Sequence, residues 1–315
     1  MSQGKHESTK RLEEAIIVIL REQNPATVRY PHYGLLSFND PLVREVHNNT
    51  RYCYQRVSKI ITDLRREGRI PWEWIVDKTR PTYRPSVWQD PKDYGEAIKC
   101  SYRKDYWQDQ PVLIEIWSEK DTISGVIAPV TDELGITVRV GRGFDSTTGV
   151  HDIAAHFHRV SKPKHVFYLG DHDPDGRCIE ESIRQRVLKL SSGPFAMRRL
   201  AINVGDIKRF NLPPMRIKRF DGDHEKAGLP KSSRAEAFLR KYRDETVELD
   251  ALPPDVLRRR VKRAILELID WRRWNLAINA EEVELESIQD FVSKWPGNGR
   301  PTEGGSEISE KSGGM

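Results

Sequence analysis

Apolar residues first recur at helical spacing in TKRLEEAIIVILRE, residues 9–22, where Leu12, Ile16, Ile19 and Leu20 share one face and predict an amphipathic helix. The same period returns in NTRYCYQRVSKIITDLRREGRI. There Val57, Ile60, Ile61 and Leu64 form a stripe, Asn49 or Thr50 stands where an N-cap belongs, and Gly68 stands where a C-cap belongs. SFNDPLVREVHNN, between the two helices, reads as a polar loop, and RIPWEWIVDKTR after the second reads as a short hairpin. Helices, then a basic helix, then a hairpin describe a winged-helix module over residues 1–85, its basic helix suited to a major groove. Residues 86–110, rich in aromatics and mixed charges, show no period and read as a connector packing on both flanking domains.

From residue 111 the pattern changes. PVLIEIW, ITVRVGRG and KHVFYLG read as strands, and the helical patterns SEKDTISGVIAPVTDEL, STTGVHDIAAHFHRV and RCIEESIRQRVLKL follow them in turn. This alternation predicts an α/β domain over 111–205, with a parallel sheet covered on both faces by helices. Residues 206–295 read as mainly helical, with Leu257, Val261, Ile265 and Leu268 on one face of LPPDVLRRRVKRAILELIDW. The Gly/Ser/Glu-rich residues 296–315 read as a disordered tail.

Composition narrows the class. The chain has 315 residues, enough for two cores, and no apolar run approaches a bilayer span, so no membrane association is expected. A polar N-terminus and three scattered cysteines fit a reduced cytoplasmic protein and exclude a cysteine-built zinc site. His156 and His158 are two residues apart, do not share a helix face, and read as solvated. The net charge of +5 points to a polyanion, because basic residues concentrate near residues 258–273 and between Arg51 and Arg69. In the latter stretch six basic residues face two acidic ones, and Arg51, Arg56, Lys59, Arg65 and Arg66 are candidates for contact with double-stranded DNA.

The chemistry concentrates in YLGDHDPDG. Asp171, Asp173 and Asp175 follow an apolar strand at a spacing where their charges repel, which a divalent cation would relieve. Glu119 stands just past an earlier strand, and in parallel sheets ligands bind outside the carboxyl ends of strands. A glutamate and a D-x-D so placed can converge on Mg²⁺ or Mn²⁺ and stabilise charge on a scissile phosphate. An Asp-rich turn is the structural alternative, and Asp175 reads equally as ligand or helix cap. The stretch DGDHE, residues 221–225, reads as a loop rather than a second metal site.

IEIWSEKDTI, VGRGFDSTT and YLGDHDPDG together resemble the three landmarks of a TOPRIM domain, in the branch of the topoisomerase VI A subunit and its relative, the meiotic double-strand-break transesterase. The resemblance covers roughly residues 25–80 and 110–205 by motif. It implies a winged helix carrying a nucleophilic tyrosine in a Thr-Val-Arg-x-x-x-Tyr motif, which TVRYPHY supplies with Arg29 and Tyr33; Tyr30 is the alternative register. Pro31 and His32 depart from the family pattern, and Asp175 replaces a tyrosine with an acid, as in type IIA topoisomerases. By resemblance, Tyr33 attacks a DNA phosphodiester to give a 5′-phosphotyrosyl link and Arg29 stabilises the developing charge. Glu119, Asp171, Asp173 and Asp175 hold Mg²⁺, with Glu119 also serving as acid or base, and Arg142 contacts phosphate. The resemblance also implies a homodimer, a separate ATPase B-type subunit for strand passage, and residence at the nucleoid. Two other functions fit the residues: a hydrolytic metal-dependent nuclease, and a non-catalytic winged-helix DNA-binding protein.

Overall fold

The computed structural model describes residues 7–76, 85–141, 146–191, 193–217, 219–221, 224–225, 229–230, 233–242 and 244–294. The expected tail and Arg142 lie outside the described residues. The chain divides into two compact units. One comprises Met1–Pro81 with Gln110–Ile269, the other Thr82–Asp109 with Asp270–Met315.

In the first unit, helices α1 (Glu7–Gln23), α2 (Arg29–Leu36), α3 (Pro41–Val46) and α4 (Arg51–Arg66) enclose a core that includes Leu12, Ile16, Leu20, Leu35, Val57, Ile61 and Leu64. Thr50 caps α4 by accepting from the Cys53 amide, and Gly68 closes it at φ +68°. The polar loop expected before α4 is instead α3. Asp40 accepts from the Leu42 and Val43 amides and Pro41 opens the first turn, which suffices for a short helix with one buried residue, Val43. The hairpin expected after α4 is absent from its described part. Trp72–Trp74 form a 3₁₀ turn, Ile75 pairs in parallel with Ala26, and the rest lies outside the described residues. Pro71 and the Arg65 guanidinium, 4.2 Å from the centre of the Trp72 ring, favour the turn over a strand.

The same unit carries a four-stranded, all-parallel sheet in the order β2-β1-β3-β4, built from β1 (Leu113–Ser118), β2 (Thr137–Val140), β3 (Lys164–Leu169) and β4 (Ala196–Ala201). The fold is α/β with helices over the sheet. Trp117, Val166 and Tyr168 pack with α7 (Thr147–Arg159) and α8 (Pro174–Leu190) through Ile153, Phe157, Ile183 and Val187. The alternate residues Ile116, Phe167 and Leu169 are equally buried; α6 (Asp121–Thr131) and α11 (Pro254–Leu266) pack on each other and contact the strands. Strand β4 was not anticipated because Arg198 and Arg199 interrupt its apolar run. Helix α9 (Val204–Arg209) follows it. At the ends of DGDHE, β5 (Arg219–Asp221) pairs antiparallel with β6 (His224–Glu225) and also with β7 (Leu229–Pro230), ahead of α10 (Ser233–Lys241); residues 222–223 lie outside the described residues.

The second unit pairs α5 (Pro91–Ser101) with α12 (Trp271–Ser293). The supposed connector is therefore partly helical. Asp90 caps α5, and Lys104 reaches Glu284 at 2.7 Å while Tyr106 and Trp107 pack edge-on against Trp274. No helix among the described residues is long and apolar enough to cross a membrane.

One buried charge pair fixes the sheet. Glu115, on β1 and 0 % exposed, takes both hydrogen bonds of the Arg139 fork at 2.8 Å and a third from Trp117 Nε1 at 2.7 Å. His156 also approaches it at 3.6 Å, so this histidine is half-buried against a carboxylate rather than solvated. Arg139→Ala will strand the carboxylate and lower stability by about 3 kcal/mol, most of it recovered by adding Glu115→Leu, as read by urea unfolding of both variants. A loss equal in the single and double variants would contradict the pairing.

Candidate active site at the strand ends

The strand order reverses between β1 and β3, since β2 lies on one side of β1 and β3 on the other. The helices after these two strands leave from opposite faces there, opening a crevice at the carboxyl ends. Glu119 follows β1 and Asp171 follows β3, so the sheet brings together two of the four acids the sequence singled out.

Glu119 sits in a niche made by glycines. A Cβ on Gly141 would stand 2.1 Å from its carbonyl oxygen, and Cβ atoms on Gly170 and Gly176 would stand 2.8 and 2.9 Å from its Oε2. The Asp171 amide donates to the same oxygen at 3.0 Å. Burial, with the nearby charge of Asp171, pushes the Glu119 carboxyl up to about 7. Asp171 is also buried, which raises it to about 6 although Lys120 opposes the shift. Asp173 caps α8, its Oδ1 accepting from the Gly176 amide at 2.7 Å. Asp175 is not part of this group; it is exposed on the first turn of α8 and pairs with Arg234 at 3.1 Å.

Four residues outside the predicted site set complete the site. The Lys120 ammonium stands 3.0 Å from Asp171 Oδ2, 2.7 Å from Asp250 Oδ2 and 3.4 Å from Glu248 Oε2. Glu248 and Asp250 arrive on a segment laced to the loop after β3: Val247 and His172 exchange backbone bonds, and the Leu249 amide donates to Asp171 Oδ1 at 2.7 Å. Beneath the same loop the buried Arg199 guanidinium donates to the Gly170 and Asp171 carbonyls at 2.7 and 3.1 Å and to Glu180 at 2.7 Å. The only local signals were the Glu-Lys pair at the end of β1 and the paired arginines of β4; nothing local marks Glu248 or Asp250.

Helix α2 meets this cluster. Arg29 pairs with Glu248, and Thr27 Oγ1 donates to Asp250 at 2.7 Å. Arg29 and Tyr33 lie four apart and so share a helix face. Tyr33 is 7 % exposed. Burial raises its phenol well above the ordinary value; Glu248 and Asp250 push the same way, and Arg29 and Lys120 oppose them. Tyr30 responds to burial and then to Asp255 and Glu22 instead, which separates it from the acidic cluster.

Among the described residues, no three His, Cys, Asp or Glu side chains form a ready metal cage. The donor chemistry fits a hard cation nonetheless. Glu119 Oε2 and Asp173 Oδ1 accept amide protons, which leaves each carboxylate one oxygen, and Mg²⁺ is bound by one or two carboxylates with water and phosphate. Both Asp171 oxygens are taken, one by Lys120 and one by the Leu249 amide.

The basic face of α4 divides. Arg56 donates to Thr9 and Arg65 to the Trp72 carbonyl, so both serve the local fold. Arg51, Lys59 and Arg66 are exposed, and with Tyr52, Gln55 and Thr62 they fall within about 100° of the helix circumference.

Comparison with protein-family models and with curated proteins returns no match for this chain. The site's own geometry carries the reading.

The raised Glu119 carboxyl has a measurable sign. A folded-state value near 7 against an ordinary 4.5 means its contribution to stability is full below 4.5 and lost as pH rises through 7. Glu119→Gln will melt with the wild type at about pH 5 and above it at about pH 8 in chelator, and adding Mg²⁺ at the higher pH will raise only the wild type. Identical melting of the two proteins at both pH values would show that the carboxylate is not desolvated.

Proposed function

We propose that this protein cleaves DNA by metal-assisted transesterification through Tyr33. The observation that carries the reading is the contact chain Arg29–Glu248–Lys120–Asp171, which joins the helix bearing the tyrosine to the strand-end carboxylates. Glu119 and Asp173 hold the cation, which supplies positive charge to the phosphate. The Tyr33 oxygen attacks phosphorus and gives up its phenolic proton to water, the bond to the 3′ oxygen breaks, the leaving oxygen takes up a proton from water, and a 5′-phosphotyrosyl ester remains. Arg29 is a cation one helical turn before the nucleophile and suits the charge that develops at phosphorus. Tyr33 is buried, so DNA reaches it only once the packing around α2 opens.

DNA docks on the exposed Arg51, Lys59 and Arg66 face of α4. One tyrosine joins to one strand, so a double-strand break takes two copies of the chain, and strand passage takes a separate ATPase subunit. Nucleoid association follows from the same reading.

Hydrolysis by metal-activated water is the second reading, favoured by the burial and raised pKa of Tyr33, which disfavour the phenolate.

Supercoiled plasmid incubated with the protein and Mg²⁺ or Mn²⁺, then denatured with detergent, tests both. Transesterification predicts 5′ ends carrying protein, absent with Tyr33→Phe and with Glu119→Gln. Protein-free breaks that survive Tyr33→Phe but not Glu119→Gln would replace it with hydrolysis. Lys59→Glu with Arg66→Glu will weaken duplex binding at least tenfold and flatten its salt dependence, measured by anisotropy.

A further inference from the structure

Of the second basic concentration in the sequence, near residues 258–273, Arg259, Arg260 and Arg263 play no part in the site above. In the fold they meet the edge strand β4 and helix α9. Arg198, Arg199, Arg209, Arg259, Arg260 and Arg263 line a cleft of about 530 Å³, which Phe210 and Asn203 also border. The cationic lining is all arginine, with no lysine.

The carboxylates that touch these six groups do not neutralise them. Asp206 is consumed by Arg260, whose Nη1 donates to it at 2.8 Å, and by the Asn203 amide, also at 2.8 Å. Glu267 is shared by Arg198 at 3.3 Å and Arg263 at 3.1 Å. Arg259 pairs with Asp255, and Arg199 with Glu180 from behind the cleft. Arg209 lies over the Phe210 ring at 5.4 Å and has no carboxylate partner among the described residues. Four carboxylates thus meet six guanidinium groups. Like charges gathered round a concave surface raise each other's free energy, and an anion placed among them removes that cost.

The chemistry selects the anion. Guanidinium forks bind phosphate oxygens in pairs, which ammonium groups do not, and several forks converging on one cleft suit several phosphoryl groups in series. The volume falls in the range of small-ligand sites, and the Phe210 ring offers an aromatic edge beside the charges. We propose that this cleft is a second phosphate-ester site, distinct from the strand-end crevice, that takes consecutive phosphoryl groups, whether of a free nucleoside polyphosphate or of a nucleic-acid backbone. The proposal rests on no part of the cleavage reading. The two sites share one side chain: Arg199 lines the cleft and also holds the carbonyls of Gly170 and Asp171.

The test uses the full chain without divalent metal. Arg209→Glu with Arg263→Glu removes two exposed arginines that touch no buried acid, and thermal melts confirm the fold; Arg209→Gln alone serves if the pair misfolds. In the first arm, ATP and inorganic triphosphate are titrated calorimetrically against wild type, the cleft pair, and Lys59→Glu with Arg66→Glu, which changes net charge equally at a remote helix. In the second arm, a labelled duplex is titrated by anisotropy in the Lys59→Glu/Arg66→Glu background, with and without the cleft substitutions.

A loss of at least tenfold in triphosphate affinity confined to the cleft variant identifies a free polyphosphate. A loss of that size confined to the duplex arm identifies a nucleic-acid backbone. No binding of either probe, binding indifferent to the cleft substitutions, or equal losses of triphosphate affinity from both charge pairs would overturn the proposal.

Discussion

The ammonium of Lys120 stands within 3.4 Å of carboxylates from Asp171, Glu248 and Asp250, and much of the first unit is arranged around it. Three buried or half-buried carboxylates this close would repel one another and shed charge by protonation. One cation makes the cluster tenable, and the cluster in turn holds Lys120 protonated against the cost of its burial. Each of the three acids then has a second partner that belongs to a different part of the chain. Asp171 accepts from the Leu249 amide, Glu248 pairs with Arg29, and Asp250 accepts from Thr27. A strand end, a late irregular segment and the start of α2 are thereby tied to one charge.

That tie bears on chemistry as much as on stability. A parallel sheet with its reversal between β1 and β3 supplies a crevice, but a crevice alone does not hold carboxylates in a chosen direction. The three glycines make room for Glu119 where a Cβ would clash with it, and Arg199 fixes the loop by taking up the carbonyls of Gly170 and Asp171. Pinning side chains through packing and outer hydrogen bonds is what a charge-stabilising site requires, because reorganisation then costs little at the moment of reaction. The cost is a raised pKa at both carboxyls, about 7 for Glu119 and about 6 for Asp171, above the ordinary carboxylate range.

The sequence by itself determined the sheet strands β1, β2 and β3, the helices that follow them, and helices α1 and α4. In each, a period of two or of 3.6, or a short apolar run between turn residues, is a local property that survives without neighbours. It also determined that Glu119 and the D-x-D would lie at strand ends, since a residue's position relative to a strand end is local too. It misjudged α3 and α5, where an Asp cap and a following proline initiate short helices that have little apolar stripe to announce them.

Only the tertiary structure decided the rest. Lys120 and Asp250 are 130 residues apart and Arg29 and Glu248 are 219, and no periodicity reports which of many charged residues will meet at that distance. It paired Arg29, four residues before Tyr33, with Glu248, and it removed Asp175 from the acidic group by pointing it at Arg234. The physical reason is the same throughout: hydrophobic patterning fixes which face of an element is buried, whereas the pairing of buried charges depends on distances that exist only once those faces have packed.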